Sequence, residues 1–270
     1  MALGAKSHGR GLRIRTSQCR DTHRQPVGHA AMTDTLRVDI WRGTESGQFQ
    51  LFAIPRREHQ TVLDVVTEIQ REHDATLSYR FACRVGMCGS CAMVVNGRPR
   101  WTCRTRVRDV VDDGEPLRLE PLRNFTVVKD LAVEMTQFFD KWKAAQGYFE
   151  PGAEPANDFT VVPPATTERQ AADAGIECIG CGVCYSACDV VAWDKDYLGP
   201  AALNRAWTLV NDVRDQAQSA RLDAVSGSEG CQACHTHMSC TTFCPKAIAP
   251  TYSIAGLKRA VLRRGLRGVL

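Results

Sequence analysis

The sequence predicts an α+β protein in two parts. A small mixed sheet packs on one helix with a cysteine loop beside it, and a helical half with two further cysteine runs follows. Three observations carry this expectation. Apolar and polar residues alternate from Leu36 to Ile40, Asn96-Gly97 separates two short strand-like segments, and beyond a Pro-rich stretch the apolar residues recur at helical spacing.

Leu36–Ile40 reads as a half-buried strand, with Gln48–Ala53 as its partner. Thr61 and Asp64 have the spacing of a capping box, and Val62, Val65, Val66 and Ile69 follow at helical intervals. Asn96-Gly97 predicts a hairpin between Ala92–Val95 and Arg100–Cys103, because both residues accept positive φ. Leu117 and Leu119 mark a further short strand. Leu131, Met135, Phe138 and Trp142 form one apolar face of a predicted helix. Pro151, Pro155, Pro163 and Pro164 then break regular structure between Gly147 and Thr167 and predict an inter-domain connection. In the second half Leu203, Ala206, Trp207 and Val210 share a helix face. The expected organisation is a basic, disordered extension over residues 1–31, a sheet domain over 32–133, a connecting helix and linker over 134–167, and a helical domain over 168–270.

Of the 270 residues, 44% are hydrophobic and 24% charged, the balance of a globular protein. No stretch reaches the roughly 18 apolar residues of a membrane span, so any attachment to a membrane is expected to come from another subunit. The net charge of +4 is concentrated at the ends: residues 1–31 hold six Lys/Arg and one acid, and residues 230–270 hold six Lys/Arg and no acid. The middle is acidic on balance, which argues against a nucleic-acid surface. Lys258 to Arg267 reads either as a face for anionic lipid or a partner, or as a solvated helix face. Residues 1–31 lack the apolar core of a secretory signal. They read as a disordered arm or as sequence upstream of a start at Met32, with an Arg-rich presequence as the third reading.

Eleven of the thirteen cysteines fall into three runs. Cys83, Cys88, Cys91 and Cys103 have the plant-type ferredoxin spacing for a 2Fe–2S cluster, with Gly86 and Gly89 expected to let backbone amides approach the sulfurs. Zinc sites pair CxxC units, whereas the first gap here is four residues. Cys178, Cys181, Cys184 and Cys188 form the bacterial-ferredoxin run, whose fourth cysteine crosses to the other cluster in two-cluster proteins. Applied reciprocally, the rule groups Cys178, Cys181 and Cys184 with Cys244 around a 4Fe–4S cluster, and Cys188 with Cys234 and Cys240. His237 stands where a complete last run would have a cysteine, which suggests a 3Fe–4S cluster there. His237 as an imidazole ligand and Cys231 as a competing thiol are the alternatives; Cys19 is a bystander.

The segments CRVGMCGSCAMVVNGRPRWTC (83–103), EPLRNFTVVKDL (120–131), CIGCGVCYSAC (178–188), GPAALNR (199–205) and CHTHMSCTTFCPK (234–246) resemble the iron–sulfur subunit of succinate dehydrogenase and fumarate reductase over about residues 33–265. The resemblance implies an N-terminal β-grasp ferredoxin domain followed by an α-helical two-cluster ferredoxin domain. It also implies partners: a flavoprotein subunit carrying FAD at the 2Fe–2S end, and a membrane anchor with quinone at the 3Fe–4S end. Trp193 and His235 match positions that help bind quinone in many members. Two departures stand out. Asp189 replaces a common proline, and the chain is one residue shorter between Cys188 and Gly199 than several members.

The subunit implied is peripheral, on the cytoplasmic face of the plasma membrane or the matrix face of a mitochondrial one. It does no substrate chemistry of its own and passes electrons singly between FAD and quinone. The competing readings are an iron–sulfur subunit of a glycerol-3-phosphate or heterodisulfide-type enzyme, a free-standing redox sensor, and structural zinc.

Overall fold

The computed structural model describes residues 35–152 and 160–268. The predicted extension with Cys19, and Pro155 in the connection, lie outside the described residues. Strand β1 (Thr35–Arg42) pairs antiparallel with β2 (Gln48–Pro55), and Leu36, Val38 and Ile40 of β1 all turn into the core. Helix α1 (Val62–Glu68) packs beneath, with Thr61 as N-cap: its hydroxyl accepts the Asp64 N–H while Asp64 accepts the Thr61 N–H. A wider helical turn over Ile69–His73 extends it. Strands β3 (Ala92–Val95) and β4 (Arg98–Trp101) flank Asn96 and Gly97, whose φ of +47° and +75° make the hairpin turn expected of that pair. Strand β5 (Leu117–Glu120) runs parallel to β1 and antiparallel to β3, giving the sheet order β2-β1-β5-β3-β4. The expected strand Arg100–Cys103 is corrected at its end. Pairing stops at Trp101, and Cys103 sits in the 3-10 turn Thr102–Arg104, where the Thr102 N–H still reaches the Cys91 carbonyl at 3.3 Å.

The predicted helix face through Leu131 and Met135 is also corrected. A small hairpin, β6 (Val127–Lys129) and β7 (Ala132–Val133), occupies that stretch, and α2 spans Thr136–Ala144. Asp130, 1% exposed, is the reason. Its carboxylate accepts from the Gly43 N–H at 2.7 Å, the Ser78 N–H at 2.8 Å and Arg42 Nε at 3.2 Å. These distant partners fix a turn with φ of +52° at Asp130, so a helix cannot begin before it. Leu131 joins the sheet core, while Phe138 packs on Phe125 and Tyr185.

The second half is helical: α3 (Thr167–Ile176), α4 (Val183–Ser186), α5 (Asp189–Trp193), α6 (Gly199–Val210), α7 (Gln218–Ala224), α8 (Ser239–Thr242) and α9 (Pro250–Gly268). Helix α6 is central and buries Leu203, Ala206 and Trp207, as its periodicity predicts. The Trp207 indole donates to the Ala171 carbonyl at 2.8 Å, and its ring lies where a side chain at Gly256 of α9 would stand, 2.5 Å away. Asn204 ties three helices together, donating to the Gly175 carbonyl at 3.0 Å and accepting from Ser253 Oγ at 2.9 Å. The basic stretch of α9 is partly engaged: Lys258 donates to the Cys234 carbonyl at 2.8 Å and Arg264 pairs with Asp223 at 2.7 Å.

The halves share a core in which Ala92, Leu122, Phe125 and Val133 meet Val183, Tyr185 and Val190. Asn124 Nδ2 donates to the Tyr185 and Cys188 carbonyls at 3.0 and 3.2 Å, and the Arg123 N–H donates to Ser186 Oγ at 2.9 Å. At Gly89, φ +72°, an added Cβ would stand 2.6 Å from Cys181 Cβ and 2.8 Å from its Cα, so the backbones touch with no room for a side chain. Arg221 and Asp215, both fully buried, pair at 2.6 Å. Arg221 also donates to the carbonyls of Gln146 and Tyr148 at 2.8 and 2.9 Å, anchoring the start of the connection.

Two outcomes are expected. Arg221→Ala leaves Asp215 charged and unpaired in the interior and lowers stability by about 3–5 kcal/mol, whereas pairing Arg221→Met with Asp215→Leu recovers part of that loss; thermal unfolding reads both. Gly89→Ala lowers the unfolding midpoint more than Gly114→Ala does, because Gly114 (φ +86°) has nothing within 4 Å and the substitution there meets backbone strain alone.

Candidate metal centres

The first cysteine loop is curled by residues in the left-handed region: Arg84, Gly86 and Gly89. The curl points three backbone amides at one sulfur, with the N–H groups of Met87, Cys88 and Val85 at 3.2, 3.3 and 3.4 Å from Cys83 Sγ. These donors bring the Cys83 thiol down to about 6, so its anionic form is favoured before any metal arrives. Cys91 and Cys103 lie together against Leu63 and Trp101. Burial, then the neighbouring Cys91, pushes Cys103 up to about 11, while the Gly86 N–H opposes the shift. Gly86 thus does what the sequence predicts, and Gly89 serves the approach to Cys181 described above.

The other two runs line two separate voids. Cys178, Cys181, Cys184 and Cys244 surround about 400 Å³ of empty space, partly open to solvent, together with Ala201, Asn204 and Ile248. Cys188, Cys234 and Cys240 line the second, about 320 Å³, with Tyr197, His235 and His237. The last cysteine of each run therefore lines the void of the other run. The backbone accomplishes it with Gly180 and Gly182 in the first run, and with left-handed Thr236, Met238 and Ala247 in the last.

Burial governs the chemistry of these sulfurs. It pushes Cys181 up to about 12 and Cys184 well above the ordinary thiol range, and it raises Cys178, Cys188 and Cys240. Partial relief comes from N–H donors: Gly180 to Cys178, Val183 to Cys181, and Val190 and Val191 to Cys188. Thiols so placed become thiolates when a cation is bound among them, and sulfur donors gathered four to one void and three to the other suit iron–sulfur chemistry. Among the described residues no three His, Cys, Asp or Glu side chains converge as the shell of a single ion.

Cys231 is fully buried and is not among the residues lining the last void. Trp193 is 70% exposed, so core packing does not account for it. Its ring meets His237 edge-on at 5.8 Å, and His235 stands 6.2 Å from His237; the two histidines line that void, and Trp193 lies beside it through His237. Asp189 opens α5 directly after Cys188, a first-turn position that suits an acid as well as the proline it replaces. One contact has no sequence signal: Thr251 Oγ1 lies 3.4 Å from Cys240 Sγ.

Residues 35–140 match the 2Fe-2S iron-sulfur cluster binding domain, and residues 175–248 match the 4Fe-4S dicluster domain. The chain is 36% identical over 222 residues to the fumarate reductase iron-sulfur subunit of Mycobacterium tuberculosis, covering 82% of this chain and 89% of that one. It is 37% identical over 230 residues to the mitochondrial succinate dehydrogenase (ubiquinone) iron-sulfur subunit of Candida glabrata, covering 83% and 90%. Among solved structures, a chain of the Mycobacterium smegmatis Sdh1 complex in the apo form is similar at a TM-score of 0.77 and 25% identity, covering 86% of this chain and 97% of that one. These relatives match over 82–83% of the chain, which does not favour the glycerol-3-phosphate, heterodisulfide-type, sensor or zinc readings. With a sheet-bearing 2Fe–2S domain followed by a helical 4Fe–4S domain, the chain belongs to the family of iron–sulfur electron-transfer subunits of succinate dehydrogenase and fumarate reductase.

Proposed function

We propose that this subunit carries electrons between a flavoprotein subunit holding FAD and quinone at a membrane-anchor subunit. In this reading Cys83, Cys88, Cys91 and Cys103 hold 2Fe–2S, Cys178, Cys181, Cys184 and Cys244 hold 4Fe–4S, and Cys188, Cys234 and Cys240 hold 3Fe–4S. When bound, the clusters supply reversible one-electron carriage. The observation that carries the reading is the sorting of the last two runs into two voids with Cys244 and Cys188 exchanged.

The protein's own part is positional. The loop around Cys83 aims N–H groups at sulfur, and the Gly89–Cys181 contact keeps the first and second centres close. Asn124 holds the carbonyl of Cys188 and so ties the sheet domain to the third centre's ligand loop. Exposed Trp193 with His235 and His237 makes an aromatic rim suited to a quinone ring. The domain limits proposed are 32–133 and 168–270, joined by 134–167. No helix among the described residues is long and apolar enough to cross a membrane, which supports a peripheral place held by an anchor subunit. The side proposed is the cytoplasmic face, or the matrix face in a mitochondrion.

Electron paramagnetic resonance on the purified complex tests the ligand sets. A three-iron signal is expected in the oxidised complex. Cys188→Ser should abolish that signal, and Cys244→Ser should abolish the four-iron signal seen on reduction. If each variant instead loses the other cluster, the exchange is wrong. Two four-iron signals with no oxidised-state signal would give the fourth ligand to His237 or Cys231.

A further inference from the structure

The two voids of the helical half differ in their polar lining. The void ringed by Cys178, Cys181, Cys184 and Cys244 has no hydroxyl among its described lining residues. Its polar side chains are engaged elsewhere: Asn204 with Gly175 and Ser253, and Lys246 with Glu177 at 3.3 Å. The void ringed by Cys188, Cys234 and Cys240 is lined by Tyr197 and Thr251, among others.

Thr251 Oγ1 lies between Cys240 Sγ at 3.4 Å and Thr241 Oγ1 at 2.9 Å. Thr241 Oγ1 in turn faces the Thr251 N–H at 3.5 Å. A cluster-bound thiolate has no proton to give, so at Cys240 the threonine must donate, and its oxygen then accepts from Thr241. Tyr197 is 1% exposed, and its phenol reaches Cys234. Tyr197 and Cys234 line the same void, and a phenol carries its own O–H to donate. The residue is fixed from both sides. Lys141 Nζ donates to the Tyr197 carbonyl at 2.5 Å and to the Lys195 carbonyl, and the adjacent Leu198 N–H donates to the Glu229 carbonyl at 2.8 Å.

We propose that Tyr197 and Thr251 are positioning residues that donate hydrogen bonds to the Cys234 and Cys240 thiolates and raise the reduction potential of the last cluster. Reduction adds one negative charge to the iron–sulfur unit, and a donor fixed on its sulfur stabilises the reduced form more than the oxidised one. Because the middle void lacks such hydroxyls, the device favours arrival of the electron at the site lined by the two histidines, with Trp193 beside them. The inference rests on the cluster reading above.

The test is a redox titration of the intact complex, following each cluster by electron paramagnetic resonance, with Tyr197→Phe, Thr251→Val, the double variant and Thr251→Ser. Each of the first two is expected to move the last cluster's midpoint to lower potential, the double variant further, with the 2Fe–2S midpoint unmoved and Thr251→Ser at the parental value. An unshifted last cluster in Thr251→Val, or an equal shift in all the clusters, overturns the proposal. If Tyr197→Phe fails to assemble, the Thr251→Val and Thr251→Ser pair decides alone. A parental complex without a three-iron signal would refute the cluster type. The midpoint shift would still be read on whichever cluster Cys188, Cys234 and Cys240 hold.

Discussion

Sulfur has to be ionised to hold iron, and burial makes ionisation costly for six of the eleven cysteines in the three runs. The rest of the structure follows from how that conflict is handled. In the sheet domain the backbone resolves it: three amide groups converge on Cys83 and favour the thiolate in advance. In the helical domain burial prevails, raising Cys178, Cys181, Cys184, Cys188 and Cys240, and the opposing positive charge must come from what is bound. Helices α4, α5 and α8 have only four or five residues each, far short of the length that sustains a helix alone. Each holds or adjoins a cysteine of the last two runs, so the local order of this half depends on packing around those cysteines.

The halves are joined by contacts that place one centre against the next. Gly89 presses on Cys181, Asn124 gathers carbonyls from the second-run loop, and Arg98 stacks over Phe243 of the last run with its guanidinium 5.0 Å from the ring. Buried ionic fasteners hold the segment between them. Arg221 and Asp215 grip residues 146–150, while Lys141 grips the loop before α6. The interface is thus a distance-setting device, and the spacing between centres is as much a product of folding as the centres themselves.

Local chemistry was legible in the sequence, and long-range chemistry was not. Cysteine spacing announced the three centres because ligand loops are short and their geometry is local. Asn96-Gly97 announced its hairpin for the same reason. The helix expected to include Leu131 failed because Asp130 is held by Arg42, Gly43 and Ser78, partners from remote segments with no periodic signature. The same limit hid Gly89's neighbour and the approach of Thr251 to Cys240. Trp193 matches a quinone-binding position by resemblance alone, and its exposure comes only from the fold. The exchange of Cys188 and Cys244 could be expected because it follows a rule about paired runs, even though the residues involved are far apart in the chain.

That exchange bears on how the protein comes into being. The void lined by Cys178, Cys181 and Cys184 has its fourth wall in Cys244, and the void lined by Cys234 and Cys240 has a wall in Cys188. During synthesis the sheet domain can acquire its sulfur cage as soon as Cys103 has left the ribosome. The helical domain can finish neither of its own until nearly the whole chain is out. Four of its cysteines, Cys178, Cys181, Cys184 and Cys188, must therefore wait, reduced and undefended, through the making of α6 and α7. A cell producing this subunit has to shelter that interval from oxidants, and a ribosome stalled before Cys240 would release a chain with one completed cage and two open ones.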